Sequence, residues 1–141
     1  MSKLDLADDG MCFACGRRNP DGLRLEFAYE AGEVRTSLSF PRKYQGYRDL
    51  VHGGLLSTVL DEAMVTLLNR LGHLAVTGEL RIRFLHPVLV NQEIEIRARL
   101  VERRGKRFKV AASALLPDGV TAAEAEATCL SLGPLPHDDE A

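Results

Sequence analysis

VHGGLLSTVLDEAM, residues 51 to 64, opens with His52, Gly53 and Gly54, runs on as apolar sequence, and then meets two adjacent carboxylates, Asp61 and Glu62. Leu55, Leu56, Val59, Leu60, Ala63, Met64, Leu67, Leu68 and Leu71 recur at helical steps, so the spacing predicts a helix from about Gly53 to Leu71, with Gly72 as its C-terminal stop. These side chains cover well over half of the circumference. Thr58, Asp61, Glu62, Val65 or Thr66, and Asn69 form the narrow stripe that remains. An unpaired carboxylate in a dry core costs several kcal/mol, so the stripe has to face solvent, a cavity or another subunit. A solvated helix edge is the plainest of these readings.

Strands flank the helix on both sides. LRLEFAY (23–29) and VRTSLSF (34–40) alternate apolar and polar residues about a hairpin turn at EAGE, and PRKYQGYRDLV (41–51) is an irregular connection. After the helix, VTGELRIRFL (76–85) alternates Val76, Gly78, Leu80, Ile82 and Phe84 against Thr77, Glu79, Arg81 and Arg83, and Pro87 closes it. EIEIRARLV (93–101) turns at RRGK into RFKVAASALL (107–116), and PDG (117–119) leads into VTAAEAEATCLSL (120–132). AAEAEA favours helix by propensity, but its Ala and Glu alternate and a turn precedes it, so it is assigned as a strand. Two strands, one helix and four strands predict an α+β fold in which a curved antiparallel sheet wraps one central helix. The helix, roughly 27 Å long, is enough to cover one sheet face.

The 141 residues suit one domain over 1–141, with an N-terminal CxxC segment at about 10–20 and a frayed tail at 134–141. A net charge of -2 gives no general attraction to nucleic acid or to anionic membrane. No window approaches the roughly 18 apolar residues of a membrane span, and MSKLDLADDG carries acids where a signal peptide is cationic and apolar, so the cytoplasm is expected. Cys12, Cys15 and Cys129 make no disulfide framework and are read as reduced thiols.

At the helix start, Gly53 and Gly54 occupy positions where backbone N–H groups lack intrahelical partners and the dipole is positive. Such an end can hold an oxyanion, and glycines can equally serve packing against the sheet. Gly53 and Asp61 are eight residues apart, roughly 12 Å along the axis at 1.5 Å per residue, too far to reach one carbonyl together. Two antiparallel helices across a two-fold axis would bring the N–H of one protomer to the acid of its partner. The acids would then line a pocket between protomers.

HGGLLSTVLDEAM, with YQGYRDLV before it and ELRIRFLHPV after it, resembles the hotdog-fold acyl-CoA thioesterases of the phenylacetate-degradation (PaaI-like) type. CFACGRRNPDGLRLEF is similar to the opening of a bacterial branch of that family, and the resemblance spans about residues 12 to 132. It implies a hotdog homodimer, possibly paired into a homotetramer, that hydrolyses acyl-CoA thioesters with no metal and no cofactor, coenzyme A being part of the substrate. On that match Gly53 supplies the oxyanion N–H, Asp61 is general base or nucleophile, and His52 and Gly54 lie beside the substrate. Relatives place an amide residue where this chain has Gly46, beside Gln45, and a hydroxyl on the strand after the helix, where this chain offers Thr77 or places Glu79 instead. CoA phosphates call for nearby cations, and Arg81 and Arg83 share one strand face, while RRGKR (103–107) reads equally as a soluble hairpin tip. The competing functions are a non-catalytic acyl-CoA binding protein and a hotdog dehydratase.

Glu62 points about 100° away from Asp61 and is read as a solvated or interface charge. Cys12 and Cys15 form half of a zinc site, but there is no second CxxC and no paired histidine, so a tight turn packing small thiols is expected rather than a metal site.

Overall fold

In the computed structural model, which describes residues 5 to 135, helix α1 runs Gly53–Arg70. His52 is its N-cap in extended conformation, and its Nδ1 accepts the Gly54 N–H at 2.9 Å. A ring nitrogen thus does the work that Ser or Asp usually does at this position. Leu71 is the C-cap and lies exposed, outside the apolar face its spacing suggested, and Gly72 at φ +95° ends the helix as expected. Leu56, Val59, Leu60, Ala63, Met64, Leu67 and Leu68 are buried. Burying a Leu or Met of this kind contributes about 1.5–3 kcal/mol.

The strands are β1 (Ala28–Glu30), β2 (Glu33–Leu38), β3 (His73–Phe84), β4 (Ile94–Arg104), β5 (Arg107–Leu115) and β6 (Thr121–Pro134). They form one antiparallel sheet in the order β1-β2-β4-β5-β6-β3. Helix α1 packs against β2, β3, β4, β5 and β6, which is the hotdog arrangement expected from the sequence. Ile94, Ile96, Phe108 and Val110 supply bulk to the shared core, and Ala112, Ala114, Ala123, Ala125 and Ala127 leave room for the helix's Leu and Met side chains. AAEAEA is strand, paired on both sides. Its glutamates face outward beside Arg83 and Lys109. Ala31 and Gly32, both at positive φ, turn the first hairpin.

Three details depart from the expected pattern. LRLEF does not join the sheet, because Arg24 sits at φ +53° and the N–H groups of Leu23 and Leu25 donate to Phe13 O and Ala14 O instead. Leu25 and Phe27 are still buried, so the alternation was apolar packing without a ladder. In β3, Gly78 falls between the pairs Thr77↔Cys129 and Glu79↔Thr128 as a bulge. The bulge reverses the phase ahead of it. Ala75 and Thr77 face α1 while Val76 is exposed, and the expected face holds only from Leu80 onward. Finally, Pro134 belongs to β6 and the Leu135 N–H donates to Gly72 O; the rest of the expected tail lies outside the described residues.

Candidate functional site

The first turn of α1 can be accounted for one N–H at a time. The Gly54 N–H is taken by His52 Nδ1 at 2.9 Å, and those of Leu55 and Leu56 by His52 O at 3.0 and 3.2 Å. Among the described residues the Gly53 N–H has no acceptor. This donor, at the positive end of an 18-residue helix, stands in the wall of an open cleft of about 830 Å³ lined by Gln45, Gly46, His52, Gly53, Phe84 and Pro87 among others. Gly46 lies against His52, where a Cβ would come within 3.4 Å of its Cα. A Cβ on Gly54 would crowd the His52 ring at 3.1 Å. Gly54 therefore leaves room for the capping ring, and Gly53 presents the free donor. The Gln45 side chain secures the connecting loop, its Oε1 accepting the Asp49 N–H at 3.0 Å, where Asp49 is at φ +63°.

Asp61 does not line this cleft. Its Oδ1 accepts a 2.7 Å hydrogen bond from Thr77 Oγ1, and Thr77 Oγ1 is 3.9 Å from Cys129 Sγ. Both Asp61 and Thr77 are half-buried, whereas Cys129 is closed off, its thiol pushed up chiefly by burial. The Gly78 bulge is what turns Thr77 toward the carboxylate. With β6 as its sole sheet neighbour among the described strands, β3 is an edge, and Val76, Leu80 and Phe84 are exposed along it. Asp61 is thus a carboxylate oriented by a hydroxyl at an open, partly apolar sheet edge.

Arg81 and Arg83 sit on the outer sheet face, 3.8 Å from Glu79 and 3.9 Å from Glu124, in a depression of about 580 Å³ shared with Arg97, Arg99 and Glu126. Within the protomer they do not reach the Gly53 cleft.

Glu62 is not a freely solvated charge. The N-terminal segment folds over its side of the helix and sets Cys12 and Cys15 beside it, with the three ligand atoms within 4.8 Å of one another. Burial pushes the Glu62 carboxyl up, offset only in part by the neighbouring Cys15 thiol. Burial and the neighbouring carboxylate push the Cys15 thiol well above its usual range. No spacing in the sequence links residues 12 and 62; only the docking of the segment joins them. The stripe of polar residues on α1 is therefore divided, with Asp61 facing β3 and Glu62 facing the CxxC turn.

The fold recurs among solved structures. A thioesterase superfamily protein matches with TM-score 0.78 and 22% identity over 82% of this chain and 60% of its own. The Escherichia coli PaaI protein from the phenylacetic acid degradation operon matches with TM-score 0.73 and 17% identity, over 78% and 80% of the two chains. A hypothetical thioesterase from Streptococcus pneumoniae, solved with coenzyme A, matches with TM-score 0.75 and 19% identity, over 79% and 88%. Further structures of that pneumococcal protein carry alanine in place of an aspartate and of a threonine sixteen positions beyond it. No curated protein matches the chain at a significant level. The sequence profile of the thioesterase superfamily matches residues 49–123, from the loop before the helix into β6. With more than half of its length inside that profile and a hotdog fold shared with PaaI, the chain belongs to the thioesterase superfamily.

Proposed function

We propose that the protein hydrolyses acyl-CoA thioesters as a symmetric dimer whose reaction centres lie between protomers. The thioester carbonyl enters the cleft with its oxygen toward the Gly53 N–H, and the partner's Asp61 faces the carbonyl carbon. Asp61 takes a proton from water as the hydroxide adds to the carbonyl, and the oxyanion that forms accepts the Gly53 hydrogen bond. Collapse breaks the C–S bond, and the CoA thiolate leaves with the proton that Asp61 held. Direct attack by Asp61 to give an anhydride, then hydrolysed, would use the same two groups. Coenzyme A is part of the substrate, and no step here draws on a separate cofactor.

The observation that carries this reading is the placement of Asp61: oriented by Thr77 at 2.7 Å, at an open sheet edge and outside its own protomer's cleft. Pairing of β3 edges across a two-fold axis would cover Val76 and Leu80 and run two α1 helices antiparallel. The pneumococcal relative supports the pair itself, since its altered aspartate and threonine have the sixteen-residue separation of Asp61 and Thr77. His52 Nδ1 is engaged as the helix cap, which sets this histidine apart from the catalytic histidine of a dehydratase.

Thiol release measured over short, long and aromatic acyl-CoAs tests the proposal. The wild type is expected to cleave at least one class, and Asp61→Ala to lose cleavage while still binding CoA and retaining the dimer. Unchanged turnover in Asp61→Ala would remove Asp61 from the reaction.

A further inference from the structure

We propose that Cys12, Cys15 and Glu62 form a metal site for one zinc-class divalent ion, which pins the N-terminal segment to helix α1. The site uses none of the groups assigned to thioester cleavage and lies toward a different side of the helix from Thr77.

The cysteine turn is built for two sulfurs on one side. The Gly16 N–H donates to Cys12 O at 2.8 Å, and the Arg18 N–H to Gly10 O at 2.9 Å. Position 16 admits only glycine, because a Cβ would fall 2.5 Å from Cys12 N and from Gly10 O. The turn is then fixed to the body of the domain: Phe13 O and Ala14 O accept the Leu23 and Leu25 N–H groups, and Ala14 is buried in the core. A rigid knuckle of this kind holds the thiols ready before any ion arrives.

The third ligand comes from the helix. Sγ of Cys12, Sγ of Cys15 and a carboxylate oxygen of Glu62 all lie within 4.8 Å of one another. In a tetrahedral site with Zn–S near 2.3 Å the sulfurs stand about 3.8 Å apart, so closure asks for at most about 1 Å of movement. Two thiolates with one carboxylate suit zinc rather than magnesium or calcium, and three protein ligands leave one position for water.

The electrostatic setting is also that of a cation site. Glu62 is half-buried, and Asp61 and Asp8 add negative charge around it. Among the described residues no Lys or Arg pairs with it. A dication satisfies all of these groups together. It displaces the protons of both thiols, and the proton of Glu62 where present, into solvent.

The test uses the full-length protein, reduced, stripped with chelator and titrated with Co²⁺ and then Zn²⁺. The expected result is one ion per chain, with thiolate-to-cobalt charge-transfer absorption that Zn²⁺ abolishes by displacement, and a melting temperature raised by zinc. Cys12→Ser and Cys15→Ser should each diminish that absorption. Glu62→Gln, which keeps both sulfurs, should keep the charge-transfer band and weaken zinc affinity roughly tenfold or more. Cys129→Ser should bind as the wild type does. Two results overturn the proposal: wild-type protein with free thiols that takes up no stoichiometric ion, or Glu62→Gln that binds zinc as tightly as the wild type. The wild-type titration decides even where a variant fails to fold.

Discussion

Replacing Gly53 with proline removes one hydrogen-bond donor and little else. Proline lacks an N–H and is well tolerated at the first helical position, which Gly53 occupies. The residue before it must be extended, and His52 already is, at φ -62° and ψ 129°. A Cβ at position 53 would meet Phe84 Cζ at 3.5 Å, an ordinary contact. The N–H that disappears has no acceptor among the described residues, so no internal hydrogen bond is lost. The melting temperature is therefore expected to stay within about 3–4 °C of the wild type, the equivalent of about 1 kcal/mol at this chain length. Catalysis should fare differently, because loss of one oxyanion donor costs about 10²–10³ in kcat, or about 2.7–4 kcal/mol. Gly53→Ala adds the Cβ and keeps the N–H, so it isolates the donor. Thiol release at saturating acyl-CoA is the assay, with size-exclusion chromatography to confirm assembly. A folded Gly53→Pro dimer turning over within tenfold of Gly53→Ala would refute the role assigned to this N–H.

Other changes probe the supporting residues. Thr77→Val removes the 2.7 Å hydrogen bond to Asp61 at constant shape; a bond to a charged acceptor is worth about 1.5–3 kcal/mol, so kcat should fall roughly ten- to hundredfold with KM little changed, and Thr77→Ser should recover most of it. His52→Ala deletes the cap on Gly54 and should cost about 1 kcal/mol, seen as a melting temperature about 3–4 °C lower, while His52→Asn keeps a capping oxygen and most of the stability. Gly16→Ala forces a Cβ onto backbone atoms 2.5 Å away and should destabilise by about 1–3 kcal/mol, read as a lower urea midpoint at unchanged slope.

How far the sequence carried depended on the range of the interactions. The helix was legible because its period, its histidine-glycine start and Gly72 all agree, and the structure moves its end by a single residue. AAEAEA was legible as strand against its propensity because alternation reports burial on one face, and those alanines are buried there. Alternation misled in two places. In LRLEF it reported packing, while the hydrogen bonds that would make a strand went to the cysteine turn. In β3 the Gly78 bulge inserts one residue and inverts the faces ahead of it, so Thr77 read as a companion of the charged residues but lies against Asp61. The separation of Gly53 from Asp61 followed from helix rise alone. The partnership of Glu62 with Cys12 and Cys15 rests on tertiary docking across fifty residues, which no local pattern encodes.

The central claim is that each reaction centre takes its donor from one protomer and its acid from the other. Mixing Asp61→Ala with Gly53→Pro under conditions that exchange subunits tests it directly. Each variant alone is inactive or nearly so. At equal amounts half of the dimers are mixed, and each of these carries one centre with both groups intact, so thiol release should rise to about a quarter of the wild-type value. A mixture no more active than the sum of its two components, with exchange verified, would contradict the account.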